Sequence, residues 1–514
     1  MGRLIRKPFM EYHLVTGGTG LLGQYLVKEL LAAGCRVVLL CRDGHLTVAQ
    51  RRVDAIVSRF ERETGRAWPR PVVIQGDLRV PGLGLSPADR KWLLDRVTQV
   101  VHSAASLKFQ GRDRLQEPWL TNLTGLQHLL EFCDPQRIDS FCHVSTAYVC
   151  GTRTGQILET ECNVGQAFGN EYEESKFLGE QLVRSAGFQR TTIFRPSIVV
   201  GDLKTGFTST FHGFYAPLSL GWQLASRHGF RSGESEKLVA AMGLRERDRK
   251  NLVPVDWVAA VMARVILDPA LHDRTYHLVN PRPVTADMLT EVVDTALRTS
   301  TEPTPGDDGL SASLNVSFED GMEVYRSYMR DDPDFDSRAT QAAVPDLPCP
   351  TLGREELLSL AQFAIREQFG LRRRPLPVPV ADVAAFLPLK AAEAPASPPG
   401  ESIWALDVTG SRGGTWTISG RGPRMTAEIG EPDEPAPRVR LSSATFVALL
   451  TGQWTVEEAL YAGLVLVTAE FLPPGEIVAR FEEWIEHSRQ LVSQSKDQHT
   501  ADPNSRISLI GGNR

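Results

Sequence analysis

The sequence is short of the features that would tie a chain to a membrane, an oxidising compartment or a polyanion. Its seven cysteines (Cys35, Cys41, Cys133, Cys142, Cys150, Cys162 and Cys349) are odd in number and hold no CxxC pair. That pattern speaks against a disulfide framework and against a cysteine-built metal site, so a reduced, cytoplasmic setting and no metal are expected. No apolar run reaches the roughly 20 residues a membrane helix needs. The first ten residues alternate basic with apolar side chains instead of forming a signal-peptide core, and Arg6 stands where myristoylation requires Ser or Thr. A net charge of -6 gives no overall attraction for nucleic acid or an anionic membrane surface. Nothing in the composition fixes an oligomeric state.

What is present is an ordinary globular composition, 42% hydrophobic and 23% charged, in 514 residues, with 33 prolines to place. At about 100 to 200 residues per domain the length suggests two to four folded units. Short β-branched and apolar runs at 12–16, 36–41, 72–75, 99–103, 140–145 and 191–194 are separated by amphipathic stretches such as 21–31, 48–60 and 120–132. This repeated β-α-β text predicts an α/β fold, a doubly wound parallel sheet with helices on both faces. After Gly201 the regularity weakens, and Phe207, Phe211, Phe214, Tyr215, Leu218 and Trp222 follow at helical spacing, which predicts an apolar substrate lobe from residues 202–250 and 281–370. Residues 371–401 carry an Arg triplet, then Pro375, Pro377, Pro379 and an Ala/Pro run, the text of a semi-rigid linker. Alternation returns at Trp404, Leu406 and Val408, and helical text at 443–450, so a second, smaller α+β domain is expected over 402–493, followed by a disordered tail at 494–514.

The chemistry begins at Thr16-Gly17-Gly18-Thr19-Gly20-Leu21-Leu22-Gly23, between the first strand and the first helix. There Gly17 permits a tight turn, Gly20 lets backbone N–H groups approach a pyrophosphate at the helix N-terminus, and Gly23 allows close packing. A dinucleotide's ribose is read at the end of the second strand, where an acid favours NAD and a positive charge favours NADP. Cys41 and Arg42 stand there, with Arg51 and Arg52 on the next helix and Asp43 opposing them, and NADP(H) is expected. Tyr172 and Lys176, at i and i+4 of a helical segment, share one face. A phenol titrating near 10 needs a neighbouring cation to be drawn toward neutrality, which Lys176 could supply. Ser145 and Thr146 follow the fifth strand at the carboxyl edge, where a hydroxyl can bond a substrate carbonyl or simply cap a turn. His102 and His143 lie at strand positions with no partner at metal spacing and read as core residues.

TGGTGLLG, GDL at 76–78, HSAA at 102–105, Asn122 in TNLTG, STAYVCG at 145–151, YEESK at 172–176 and RPSIVVGD at 195–202 occur in order and together resemble the extended short-chain dehydrogenase/reductase family. The similarity covers residues 12 to about 280. RPSIVVGD followed by Lys204-Thr205-Gly206, with NLVPVD at 251–256, is similar to the thioester-reductase and fatty-acyl reductase branch, and Cys150 departs from the aromatic residue common in sugar-modifying members. The resemblance implies a Rossmann domain with Thr146, Tyr172 and Lys176 as catalytic triad. It implies Thr16, Gly17, Thr19, Gly20, Leu21, Leu22 and Gly23 at the phosphates, and Arg42 and Arg52 at the 2′-phosphate. Asp77 and Leu78 would lie near the adenine, Ser103, Ala104, Ala105 and Asn122 along the cofactor, and Pro196, Ser197, Ile198 and Val199 beside the nicotinamide. Residues 443–470 more loosely resemble the sterol-carrier-protein-2 fold, the alternative being a domain with an ordinary filled core.

The function expected is NADPH-dependent reduction of a hydrophobic carbonyl substrate, an acyl thioester on CoA or a carrier protein being the leading candidate. A ketoreductase or dehydrogenase acting on a steroid-like or polyketide-like skeleton is the alternative within the class, and a non-catalytic cofactor- or lipid-binding scaffold the alternative outside it.

Overall fold

The computed structural model describes residues 11–42, 49–111, 113–228, 244–300, 323–370, 403–409, 414–420, 425–433, 436–461, 464–468 and 474–498. Its contacts divide the chain into two units, one of Met1–Cys41 with Pro71–Arg373 and one of Arg42–Arg70 with Arg374–Arg514.

The first unit is built on β1 (Tyr12–Thr16), β2 (Val37–Cys41), β3 (Val72–Gln75), β4 (Val97–His102), β5 (Ser140–Val144), β6 (Thr191–Pro196) and β7 (Thr275–Leu278). All pair in parallel in the order β7-β6-β5-β4-β1-β2-β3. VVLLC of β2 and SFCHV of β5 are buried at every residue, as strands covered on both faces must be, and so lack alternation. The order reverses between β1 and β4, which opens a crevice at the carboxyl ends of those two strands. Helix α1 (Leu21–Ala32) starts on one rim of it.

Two further helices carry or flank the site, α4 (Gly125–Phe132) and α5 (Glu171–Ser185), after α2 (Ala49–Thr64) and α3 (Pro87–Arg96). The text at 120–132 resolves into a π turn, Leu120–Thr124, running into α4. Asn170 caps α5 by accepting the Glu173 amide at 3.0 Å, and Glu171, Glu173 and Glu174 in the first turn complement its positive end.

Beyond β6, α6 (Tyr215–His228), α7 (Val255–Leu267), α8 (Ala286–Ser300) and α9 (Arg354–Arg366) complete the unit. Phe214, Tyr215 and Leu218 pack with Val292, Ala296, Leu357 and Leu360 in one core. The apolar text from Phe207 is helical only from Tyr215, because Gly206 and Gly213 take positive φ (74° and 56°) and break the run. Phe207 and Phe211 serve from the loop, their rings against Phe363 and Phe369, each at 5.8 Å. Residues 229–243 and 301–322 of the expected lobe lie outside the described residues, as does the expected linker at 371–401.

The second unit has a mixed sheet of β8 (Ile403–Thr409), β9 (Gly414–Ser419), β10 (Thr426–Ile429), β11 (Arg438–Ser442) and β12 (Val465–Thr468), in the order β10-β9-β8-β11-β12 with only β8 and β11 parallel. Trp404, Leu406 and Val408 alternate inward against Phe446 and Leu449 of α10 (Ser443–Leu450), Leu460 of α11 (Val456–Tyr461) and Phe481 and Trp484 of α12 (Pro474–Gln498). Here the boundaries differ from those expected. The segment 42–70 groups with this unit because α2 packs on β12, α11 and α12. Helix α12 continues to Gln498, and residues 499–514 lie outside the described residues.

Candidate active site

The loop after β1 shows why its glycines are required. Gly17 has φ of 73°, and a Cβ there would lie 2.5 Å from the Ala104 nitrogen. At Gly23 a Cβ would lie 2.1 Å from the Gly17 carbonyl oxygen, so the close packing expected of Gly23 is made against the loop itself. Gly20 caps α1 with no side-chain acceptor, and the first turn of α1 has no acidic residue. The positive end of α1 is therefore left for an anion, which fits a dinucleotide pyrophosphate. Thr16 lies beneath, its hydroxyl 2.8 Å from His102 Nδ1 and accepting the Ala104 amide.

One cavity of about 410 Å³ joins this loop to the catalytic candidates. Gly17, Gly20, Leu21, Leu22 and Gly23 line it, with Ser103, Ala105, Thr146, Tyr172, Lys176, Pro196, Ser197, Ile198 and Val199. Tyr172 and Lys176 reach it from α5. Lys176 is buried and donates to the Val144 carbonyl at 2.6 Å. Desolvation pulls its ammonium down to about 8, with Glu180 one turn later opposing the fall. Enclosure pushes the Tyr172 phenol above its ordinary range, and the Glu173 carboxylate adds to the rise. In this geometry burial outweighs the lowering expected from Lys176. Thr146 both caps and faces the cavity, accepting the Tyr148 amide at 3.3 Å and donating to the Pro196 carbonyl at 3.4 Å.

Beneath the triad, His102 and His143 stack at 5.3 Å between ring centroids, both buried. Burial drives His102 down to about 3 and His143 well below its ordinary value, so both are neutral near pH 7. Among the described residues no group of three or more His, Cys, Asp or Glu side chains is placed to hold a metal ion.

The remaining cofactor candidates do not line the cavity. Asn122, in the π turn, donates to the Ser106 carbonyl at 3.1 Å and to Ser175 Oγ at 3.0 Å, and accepts the Ser106 amide, tying the loop after β4 to α5. Thr19 offers its carbonyl to Gln24, Leu78 is buried, and Asp77 pairs with Arg79 at 2.6 Å. Arg42 is exposed, its carbonyl accepting from the Arg52 guanidinium, and both belong to the second unit.

Phe214 of the apolar run and Tyr148 of STAYVCG line the cavity, but most of its remaining wall was not visible in the motifs. Phe109, Tyr148, His212, Lys250, Leu289, Val293, Tyr325, Tyr328 and Met329 also line the cavity. They come from six separate stretches of chain, too scattered to share a spacing. Only the density of aromatic residues at 325–328, ahead of the acidic run 331–334, gave a local signal.

Parallel order, glycine loop and a Thr/Tyr/Lys group opening on one cavity define an extended short-chain dehydrogenase/reductase domain, an NAD(P)-dependent enzyme domain. Residues 15–262 match the family model described as "Male sterility protein". The chain is similar to the non-reducing polyketide synthase pkiA of Emericella nidulans, 27% identical over 298 residues, which is 55% of this chain and 11% of that protein. It is also similar to the fatty acyl-CoA reductase wat of Drosophila melanogaster, 25% identical over 237 residues, 40% of this chain and 46% of that one. The matched segments thus span less than half the length of these curated relatives. The fold is shared with the terminal R domain of the myxalamid PKS-NRPS pathway, with a TM-score of 0.56, 24% identity, and coverage of 71% of this chain and 92% of that one. It is shared too with a thiolation-reductase di-domain from an archaeal non-ribosomal peptide synthetase, with a TM-score of 0.53, 18% identity, and coverage of 70% and 76%. Among the described residues no helix is long and apolar enough to cross a membrane.

Proposed function

We propose that the protein is an NADPH-dependent reductase of a hydrophobic acyl thioester, presented on CoA or on a carrier protein and reduced to aldehyde or alcohol. One observation carries this reading: the phosphate loop, the triad and an apolar wall running to Leu289 and Val293 line a single cavity. A bound nicotinamide cofactor would supply hydride to the carbonyl carbon. Gly17, Gly20 and Gly23 would hold its pyrophosphate, Lys176 its ribose, and Pro196–Val199 one side of its ring. Tyr172 donates a proton to the substrate oxygen, and Thr146 orients that oxygen by a hydrogen bond. Enclosure keeps the Tyr172 phenol protonated near neutral pH, so the proton to be given is in place, although the raised phenol is a weaker acid than a free one. NADP preference is supported by Cys41 and Arg42 at the end of β2, where an NAD-specific chain would present an acid. The relatives' names support a thioester substrate, one being a fatty acyl-CoA reductase.

For the second unit we propose a structural role over a sterol-carrier-like tunnel. Trp484 packs against Trp404 at 5.8 Å and against Phe446 and Phe481, each at 6.0 Å, which supports a core filled by its own rings.

A turnover panel of acyl-CoA, aldehyde and ketone substrates with NADPH and NADH tests the whole. Acyl-CoA-dependent NADPH oxidation supports the proposal. Turnover of ketones alone would replace it by a ketoreductase, and binding of cofactor without any turnover by a scaffold.

A further inference from the structure

Asp332 lies in none of the motifs, yet it is 4% exposed and fully engaged. Its Oδ2 accepts from the Tyr148 hydroxyl at 2.8 Å and the Asn251 amide at 2.7 Å, and its Oδ1 from Lys250 Nζ at 2.6 Å. Lys250 also donates to the Tyr328 and Arg330 carbonyls, at 2.9 and 3.2 Å. Two further ties hold the same segment. Asn170 Nδ2 donates to Ser327 Oγ at 2.9 Å, and Arg330 Nη2 to the Gly151 carbonyl at 2.8 Å. Asn170 caps the helix that carries Tyr172, and Gly151 ends the turn that Thr146 begins. Residues 325–332 are thereby bonded to both elements that present the catalytic candidates. The rings they present form a continuous wall. Tyr325 and Tyr328 pack on Phe109 at 5.4 and 5.1 Å, and Phe109 meets Tyr172 edge-on at 5.9 Å.

We infer that Asp332 is a positioning residue that fixes the substrate-side wall, residues 325–329, against Tyr172. A buried carboxylate holding an ammonium, a phenol and an amide sets three elements at once, and an amide in its place leaves Lys250 buried without its counter-charge. None of the groups bonded to Asp332 belongs to Gly17–Gly23, and a link toward the proposed nicotinamide side runs only at second hand, through Asn251 accepting from Ser197 Oγ at 2.8 Å, so the effect should fall on substrate far more than on cofactor. The choice of an acyl thioester as substrate rests on the function proposed above.

The test is Asp332→Asn in the full chain. KM for an acyl-CoA should rise about tenfold or more, with a smaller change in kcat. NADPH affinity, read by fluorescence titration, should stay within about twofold. Amide hydrogen exchange should quicken in peptides covering 325–332 and stay unchanged over 12–32. Unchanged KM and exchange would overturn the inference, as would a loss of NADPH affinity in step with KM, which marks general loosening. Should this variant fail to fold, Arg330→Met removes a single tie and should raise KM several-fold with the same exchange pattern, and no change there overturns it equally. A wild-type enzyme that turns over a ketone but no thioester defeats the functional proposal alone, because the same KM comparison on that ketone still tests Asp332. The exchange experiment needs no turnover.

Discussion

The roles proposed for Tyr172 and Lys176 are ones that substitution separates. Tyr172→Phe removes the transferable proton but no contact with the phosphate loop, so turnover should fall by about a thousandfold or more while NADPH still binds. Parallel loss of both would mean that Tyr172 is a packing residue. Lys176 is charged below about 8 and neutral above it, so NADPH affinity should weaken as pH rises through about 8. Lys176→Arg keeps the charge and should carry that limb to higher pH, and a wild-type affinity flat from pH 7 to about 9.5 would contradict the assignment. Residues of this kind were legible because they act through local spacing: a tight glycine turn, an i and i+4 pair, a hydroxyl at a strand end. Asp332, Lys250 and Tyr325 were not, since their meaning arises only where Asp332 meets Tyr148 across 184 positions of chain. The rise of the Tyr172 phenol is non-local in the same way: spacing reveals that a cation is near, but not that the phenol is enclosed.

At the scale of elements, hydrophobic runs and glycine loops located β1 to β6 to within about two residues, because the central strands are buried on both faces and each turn needs its own chemistry, whereas β7 (Thr275–Leu278), at the edge of the sheet and beyond the last β-α-β repeat, was not among the runs. Helix α2 shows where that logic ends. Its amphipathic text states that one face is covered and not by what, and the cover proves to be β12, α11 and α12 of the second unit. Val53, Val57 and Phe60 are each about 1% exposed, and burying such side chains is worth about 1.5 to 3 kcal/mol apiece. A chain ending at Gly370 should therefore melt at lower temperature than the whole protein, instead of retaining an undisturbed first domain. Conversely, residues 402–498 alone should be less stable than the same segment fused to residues 42–70. Identical thermal melts with and without 42–70 would show that α2 contributes nothing to that core.

For the molecule as a whole, composition had already set aside nucleic-acid binding, and the ordered motifs gave the class of enzyme domain before any contact was known. The substrate was not legible, because the cavity wall joins Phe109 and Tyr148 to the lobe at 202–370, where the sequence has neither sheet periodicity nor a phosphate loop to anchor a reading. If hydride and proton are delivered to a thioester carbonyl, as proposed, the carbon–sulfur bond then breaks and a thiol leaves. Thiol release can be followed with a chromogenic disulfide while NADPH absorbance is recorded in the same reaction. With a long-chain acyl-CoA, one thiol is expected per NADPH oxidised if reduction stops at the aldehyde and one per two if it proceeds to the alcohol, with both signals lost in Tyr172→Phe. NADPH oxidation on carbonyl substrates with no thiol released from any acyl-CoA or carrier-bound acyl group would contradict it.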